Sequence, residues 1–285
     1  MGWIMKKLTI VLAACLTIGC ASSSQPIYGG APAAAGDDPW QVALISSRLR
    51  EPQLFCGGTL IAPDWVLTAA HCVDGGFQPP DINVLSGTID LDSGGERISV
   101  VDIIIHGRWE EGPWFNRRNY NDIALLQLSR PASAAPIAIA DASARPSIAP
   151  RQSARVTGWG LTEYGEENQR HLLFVDVPIV SNTVCNGPDG FGDNNPNTPD
   201  PVTPSMLCAG FDAGGHDACG GDSGGPLSMR ISGRPTLIGV VSWGAETCGG
   251  PPYYGVYTRV TEYADWIAAC TAGDAVNCVR KPRTW

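Results

Sequence analysis

The ten residues Ala218–Leu227 read ACGGDSGGPL, and six of the ten are glycine, serine or aspartate gathered around Ser223. Glycine has no Cβ, so it reaches positive φ angles easily and lets the backbone approach another group closely. The surrounding chain has no low-complexity character that would explain the glycines. Their density therefore predicts that the peptide backbone around Ser223, as well as its side chain, takes part in a site.

The composition is that of a globular, strand-rich protein. The 285 residues are 44% hydrophobic and 16% charged, which excludes a disordered chain. The formal net charge of −9 has the wrong sign for broad attraction to phosphate backbones, which argues against nucleic acid as a partner. Short Val/Ile/Leu/Trp runs separated by many of the 34 glycines and 23 prolines predict an all-β sandwich or barrel.

The amino end predicts export. MGWIMKK followed by LTIVLAACLTIG has the charged n-region and short apolar h-region of a secretory signal peptide over residues 1–20. LTIGC, ending at Cys20, resembles the lipobox of bacterial lipoproteins, which implies lipidation of Cys20, a tether over residues 21–26 and a place on a bacterial cell envelope. LAAC ending at Cys15 is a second candidate, and an ordinary cleaved leader of a secreted protein is a third.

The segment GDSGG, residues 221–225, fits the GxSxG pattern of α/β-hydrolases, which place the catalytic histidine after the serine. All histidines of this chain precede Ser223: His71, His106, His171 and His216. The chain order therefore removes that alternative.

The order histidine, aspartate, serine is available instead. LTAAHC contains His71, and YNDIALLQL contains Asp122 at the start of an apolar strand. A serine hydroxyl is a poor nucleophile at neutral pH, so it needs an adjacent base and a group that orients this base. We therefore predict that Ser223 is the nucleophile, His71 the base and Asp122 the orienting carboxylate. The other histidines are expected on the surface or in loops.

Together with TGWG at 157–160 and SWG at 242–244, these segments resemble the trypsin/chymotrypsin family of serine proteases. The resemblance covers about residues 27–270. It implies an all-β fold of two six-stranded antiparallel β-barrels packed face to face, over about 27–145 and 146–270, with a short C-terminal helix and an extension over 271–285. It also implies a serine endopeptidase acting through an acyl-enzyme, with the amides of Gly221 and Ser223 as the oxyanion hole.

The resemblance also implies a primary specificity pocket. Asp217 lies six positions before Ser223, where trypsin has a carboxylate, so the expected substrates are polypeptides with Arg or Lys before the scissile bond. Gly244 and Gly255 match the glycines of the pocket wall. Ser242 and Trp243 match the strand that pairs with the substrate backbone.

No metal or other cofactor is expected, apart from sodium. Tyr254 stands where some family members have a tyrosine associated with sodium binding by loop carbonyls; aromatic packing over the pocket loop is the alternative. Calcium is not expected, because Thr88 replaces an acidic ligand of the family.

Removing the two cysteines of the leader leaves eight, an even number that suits four disulfides in an oxidising compartment. The resemblance implies the pairs Cys56–Cys72, Cys185–Cys208 and Cys219–Cys248. Cys270 and Cys278 are left to pair in the C-terminal extension.

Activation is where the sequence departs from the family. The segment IYGG, residues 27–30, resembles a mature start whose freed α-amine, on Ile27, pairs with the acid before the catalytic serine, here Asp222. Pro26, not Arg or Lys, precedes Ile27, which argues against tryptic self-activation, and another, activating protease is expected to trim the tether. Two alternatives to the endopeptidase function remain: an unactivated protease-like binding module on the cell envelope, and an esterase whose activity does not depend on a basic side chain in the substrate.

Overall fold

The computed structural model describes residues 27–48, 53–112, 119–161, 170–192, 201–245, 247–251 and 254–282. The predicted leader, the tether and Cys20 lie outside the described residues. Within these ranges no helix combines the length and the apolarity needed to cross a membrane.

The described residues form fourteen strands, three short α-helices and three 3-10 turns. The strands are β1 (Ala31–Pro32), β2 (Gln41–Ser46), β3 (Gln53–Ala62), β4 (Trp65–Thr68), β5 (Ile82–Ser86), β6 (Glu96–Ile105), β7 (Ala124–Leu128), β8 (Ala138–Ile139), β9 (Ser153–Gly158), β10 (Leu173–Val180), β11 (Met206–Ala209), β12 (Pro226–Ile231), β13 (Arg234–Trp243) and β14 (Gly255–Arg259). The helices are α1 (Ala70–Val73), α2 (Asn182–Cys185) and α3 (Ala264–Thr271), and the 3-10 turns are Pro79–Asp81, Ala142–Ser147 and Val260–Glu262.

The first barrel closes in the order β2-β3-β4-β7-β6-β5, with antiparallel pairing throughout. Side chains on a strand alternate between its two faces. Strand β6 shows this pattern, because Ile98 and Val100 are buried, whereas the next residue, Val101, is 53% exposed. Alternation of this kind along a closed ring of strands fills the barrel with aliphatic side chains and leaves no sheet edge.

The second barrel closes in the order β9-β10-β11-β14-β13-β12, because β9 pairs with both β10 and β12. Strand β1 extends it beside β10, and β8 runs parallel to β13. Helix α3 then returns to the first barrel, where Trp266 and Ile267 are buried in its core. The predicted double barrel with a short C-terminal helix is therefore confirmed.

The described residues form four disulfides, and all four predicted pairs are confirmed: Cys56–Cys72, Cys185–Cys208, Cys219–Cys248 and Cys270–Cys278. The first fastens α1 to β3, and the third fastens the segment before Ser223 to the segment after β13. Each of these two links holds a loop that carries a candidate catalytic residue. Four disulfides fit an extracellular protein.

Candidate active site

His71 lies in α1, a single helical turn directly after β4. The helix is held by its buried neighbours Ala70 and Cys72, while the His71 side chain stays 23% exposed. Its ring Nδ1 lies 2.7 Å from Asp122 Oδ2, and its backbone N–H donates to Asp122 Oδ1 at 2.9 Å. The carboxylate therefore fixes both the position of the histidine backbone and the orientation of the ring, which leaves Nε2 as the nitrogen for chemistry.

Asp122 is fully buried two residues before β7, and a buried carboxylate is tolerated when hydrogen bonds replace its lost water. Besides His71, the Ser242 hydroxyl donates to Oδ2 at 2.5 Å, and Asn119 Nδ2 donates to the same oxygen at 3.4 Å. The Thr258 hydroxyl donates to the Asp122 carbonyl at 2.7 Å. The sequence prediction gave Ser242 a place beside the substrate backbone and missed Asn119 and Thr258, which stand in no recognised motif.

Ser223 lies in the loop between β11 and β12, where backbone bonds hold it against both barrels. Gly57 of the first barrel donates to the Ser223 carbonyl at 2.8 Å, and Gly224 donates to the Val241 carbonyl of the second barrel, also at 2.8 Å. Gly224 has φ of +79°, and a Cβ there would collide with the Thr68 hydroxyl. The serine loop is thus packed against the end of β4, three residues before His71.

The backbone amides of the serine loop divide into two sets. Asp222, Gly224 and Gly225 donate to carbonyls within 3.0 Å. Gly221 and Ser223, the two predicted oxyanion donors, donate to no group among the described residues. Gly221 has φ of +97°, a left-handed conformation that glycine adopts without steric cost. Unused amides beside a nucleophile are what stabilisation of a developing oxyanion requires.

Asp222 is fully buried behind this loop, and its carboxylate accepts N–H bonds from Gly160 at 2.7 Å and Cys219 at 2.9 Å. A side chain at Gly158 or Gly160 would collide with the carboxylate, so glycine is required at both. Burial raises the pKa of Asp222 to about 7. No cationic side chain among the described residues is paired with it.

Ile27 is fully buried in the core of the second barrel. The next residue, Tyr28, pairs with Asp217 in an isolated antiparallel bridge, in which Asp217 N–H donates to the Tyr28 carbonyl at 3.1 Å. The start of the described chain is therefore already docked beside the segment that leads to Asp222.

Asp217 is 8% exposed, and its Oδ2 accepts an N–H bond from Gly249 at 3.2 Å. A Cβ built on Gly255 would lie 2.7 Å from Asp217 Oδ1 and 2.8 Å from the Tyr257 hydroxyl oxygen, so Gly255 leaves open the space above both groups. Gly244 is exposed beside Gly255. Burial raises the pKa of Asp217 to about 6.

Tyr257 is a member of this pocket that the sequence prediction missed. Its hydroxyl oxygen is buried and has no hydrogen-bond partner among the described residues, and burial raises its pKa well above the usual value. Buried hydroxyls without a hydrogen-bond partner are rare in folded proteins, and this one lies close to the Asp217 carboxylate. No local signal identifies Tyr257, because it stands inside an ordinary strand pattern.

Trp243 ends β13 and packs its ring against Phe191, with the ring centroids 4.9 Å apart. Its Nε1 is buried without a partner among the described residues. The pair lies next to Ser242, the residue that precedes Trp243 in β13.

Tyr254, the residue behind the sodium prediction, is buried and donates its hydroxyl to Asp212 Oδ1 at 2.9 Å. Residues 252–253 of the adjoining loop lie outside the described residues, and sodium sensitivity stays a prediction. Cys56, His71 and Cys72 approach one another closely enough to suggest a metal site. The two sulfurs are bonded to each other, so these three residues are not a ligand set.

Double barrels that hold a histidine–aspartate pair against a glycine-rich serine loop define the class of chymotrypsin-like serine endopeptidases. The family model described as Trypsin matches residues 27–267. A protein named Trypsin, from Saccharopolyspora erythraea, is 39% identical over 240 residues, which are 84% of this chain and 95% of that protein. The chain belongs to the trypsin family and is a trypsin-like serine endopeptidase, whose substrates are polypeptides.

Proposed function

We propose that this endopeptidase cuts on the carboxyl side of Arg or Lys. The observation that carries the proposal is Asp217: a carboxylate that is 8% exposed, lies beside the space kept open by Gly255, and has no cationic partner among the described residues. A buried carboxylate without a counter-charge costs free energy, so a substrate that brings a cation is favoured over one that does not. The unpaired Tyr257 hydroxyl beside it supplies a second polar contact.

The proposed mechanism is acyl transfer to Ser223. Its hydroxyl attacks the scissile carbonyl while His71 Nε2 takes the hydroxyl proton, and Asp122 stabilises the charged imidazole through the Nδ1 hydrogen bond. The proton then passes to the leaving amine, which departs and leaves an ester on Ser223. Water, deprotonated by His71, hydrolyses the ester and restores the enzyme.

The amides of Gly221 and Ser223 are proposed to stabilise the oxyanion in both steps. Each donor of this kind is worth about 3 to 4 kcal/mol in the transition state. Their lack of acceptors among the described residues supports the assignment.

Cleavage before Ile27 is proposed to complete the site. A free α-amine on Ile27 would give Asp222 the cation it lacks, and the positions of the buried Ile27 and bridged Tyr28 suit such a pair. Because Pro26 precedes the bond, a protease of different specificity must cut it, and the uncut chain is a zymogen.

Export through the leader 1–20 is proposed together with lipidation of Cys20, which would make the uncut protein a bacterial cell-envelope lipoprotein. Trimming before Ile27 would then release the protease domain as a secreted enzyme. Because the chain belongs to an enzyme family, a trimmed and active protease is favoured over an unactivated binding module.

The test is cleavage of matched arginyl and phenylalanyl amide substrates by the processed enzyme. The arginyl substrate should be strongly preferred, and Asp217→Ser should lower its kcat/KM at least 100-fold without a comparable loss for the phenylalanyl substrate. Asp141→Ser, which removes an exposed acid at the start of the 3-10 turn Ala142–Ser147 and keeps a capping residue there, is the matched control. Equal cleavage of both substrates, or a preference for the phenylalanyl one, would refute the role of Asp217 in selecting the substrate.

A further inference from the structure

The Tyr28 side chain lies against Gly249, the residue that follows Cys248 of a disulfide. A Cβ built on Gly249 would lie 2.7 Å from Cε1 and 2.9 Å from Cγ of the Tyr28 ring, with Cδ1 closer still. These are its three nearest atoms among the described residues. Gly249 has φ of +63°, a left-handed conformation that glycine adopts without steric cost. Glycine is therefore required here both by the backbone and by the ring that covers it.

The backbone of Gly249 joins two segments beside Asp217. Its N–H donates to Asp217 Oδ2 at 3.2 Å, and its carbonyl accepts the Gly215 N–H at 2.7 Å. The Tyr28 carbonyl accepts the Asp217 N–H at 3.1 Å. Tyr28 therefore acts on Asp217 in two ways, because its backbone binds the segment that carries the carboxylate and its ring packs on the residue that donates to the carboxylate.

The Gly249 amide is one of two backbone groups that favour the charged form of Asp217. Burial raises the pKa of this carboxyl, whereas the N–H bonds from Gly249 and Ala218 lower it. The titratable side chains whose pKa values the Asp217 charge raises are Tyr257 and Asp222. Neither of these two brings a positive charge to the pocket, so the carboxylate depends on the two amides for its ionised state.

We propose that Tyr28 is a specificity-determining residue: its ring holds Gly249 where the Gly249 amide binds Asp217, which keeps this carboxylate charged and oriented for the cation of an Arg or Lys side chain. Gly249 and Gly250 are adjacent glycines, and glycine loses more backbone freedom on folding than any other residue. The ring supplies a restraint that this segment lacks. Tyr28 acts as a positioning residue, through Gly249. The inference rests on the proposed preference for Arg or Lys.

The test measures the ratio of kcat/KM for an arginine peptide to that for its neutral citrulline analogue, with the processed enzyme at pH 5 to 8. Tyr28→Ala should lower this ratio about fivefold or more at pH 7, because a hydrogen bond to a charged group is weakened. The midpoint of its pH dependence should move above the pKa of about 6 that burial gives Asp217. Tyr28→Phe keeps the ring and should keep both the ratio and the midpoint.

A purely structural role of Tyr28 would leave the ratio intact, because a defect in folding or trimming lowers kcat/KM for both peptides equally. Gly249→Ala is a second variant and should also lower the ratio, since its Cβ and the Tyr28 ring cannot occupy the same space. The double variant removes this collision and should lower the ratio no further than Tyr28→Ala alone. Such non-additivity is expected when two residues act through one contact.

Phe211→Ala is the matched control, because Phe211 is 39% exposed and its ring packs against His216, with the ring centroids 5.2 Å apart. This variant should keep the wild-type ratio and midpoint. An equal loss in the control, or a loss in Tyr28→Phe, would overturn the proposal.

The same measurements separate this inference from the proposed function. A wild-type enzyme that cleaves the two peptides equally well would refute both. A wild-type preference for arginine that Asp217→Ser abolishes and Tyr28→Ala leaves intact would refute the role of Tyr28 alone.

Discussion

The Ser242 hydroxyl donates to Asp122 Oδ2 at 2.5 Å, and the two residues belong to different barrels. Ser242 lies at the end of β13 in the second barrel, and Asp122 precedes β7 in the first. The orientation of the candidate carboxylate, and through it of the His71 ring, is therefore set jointly by both halves of the molecule.

Ser242→Ala should lower kcat/KM about tenfold or more without abolishing activity. The change removes a hydrogen bond to a charged group, worth about 1.5 to 3 kcal/mol, but leaves the His71 contacts with Asp122 in place. Steady-state kinetics on a single peptide measures the effect. Ser228→Ala is the control, because Ser228 is buried in the same barrel and has no hydrogen bond to Asp122. Equal losses in the two variants would mean that packing, not the bond, matters.

Gly224→Ala should inactivate the enzyme and destabilise it by several kcal/mol, because the new Cβ would collide with Thr68 and push the serine loop away from β4. Gly233→Ala is a matched control: Gly233 has the same φ of +79°, and no atom of the described residues lies within 4 Å of its Cβ position. It should lose about 1 to 2 kcal/mol from left-handed strain alone and keep its kcat. Urea unfolding with parallel activity assays separates the two. A similar fate for both variants would show that backbone strain, rather than loop placement, dominates.

The preference for a positive side chain should depend on pH. Burial raises the pKa of Asp217 to about 6, so its carboxyl is protonated below this pH and ionised above it. The ratio of kcat/KM for an arginine peptide to that for its neutral citrulline analogue should rise as pH increases through about 6 and then level off. The protonation of His71 cancels in this ratio, since both peptides need the same base.

For this pH dependence, Asp217→Ser is the reference variant and should show a low ratio that does not change with pH. A wild-type ratio that stays constant from pH 5 to 8 would contradict the assignment of Asp217 as the group that senses the substrate charge.

Processing should change how stability depends on pH. In the uncut chain burial raises the pKa of Asp222 to about 7 from an ordinary value near 4. An acid whose folded pKa is raised stabilises the fold at low pH, and this stabilisation is lost as pH rises from about 4 to 7, by up to a few kcal/mol. Pairing with a freed Ile27 amine should lower the pKa of Asp222 and remove this loss.

The measurement is the free energy of unfolding between pH 4 and 8 for the uncut and trimmed chains, both carrying Ser223→Ala to prevent cleavage. Asp222→Asn identifies the part of the pH dependence that belongs to this carboxyl. Activity of the trimmed enzyme should also fall at alkaline pH, as the amine, with an ordinary pKa of about 8, loses its charge. Identical pH profiles for the two chains would argue against the ion pair.

The sequence predicted the candidate catalytic residues best where each lies in a short, recognisable segment. His71, Asp122 and Ser223 each stand in such a segment, and turn-rich apolar runs were enough for the β class. Tyr257 and Thr258 were missed because strand register across the second barrel, which no local pattern specifies, brings them to Asp217 and Asp122. Lys281 reaches Asp74 across 207 positions, a contact that depends on the whole fold.

His106 illustrates the same limit. Nothing in its neighbours predicts a role, and it was expected on the surface or in a loop. The structure packs its ring edge-on against Tyr263 and Trp266, with centroids 5.3 and 5.0 Å away, and burial lowers its pKa to about 4. The aromatic residues come from the segment around α3, so its environment depends on where the C-terminus of the chain returns.

The bond from Gly57 to the Ser223 carbonyl has an evolutionary consequence. The serine loop of the second barrel is hydrogen-bonded to the backbone of the first barrel. Neither barrel can therefore form the site without the other. A chimera that joined residues 27–145 to the second barrel of a distant homologue would contain two intact barrels whose contacting surfaces do not fit each other. Recombination of the two barrels is therefore expected to succeed between close relatives, in which the residues on both sides of this interface still match.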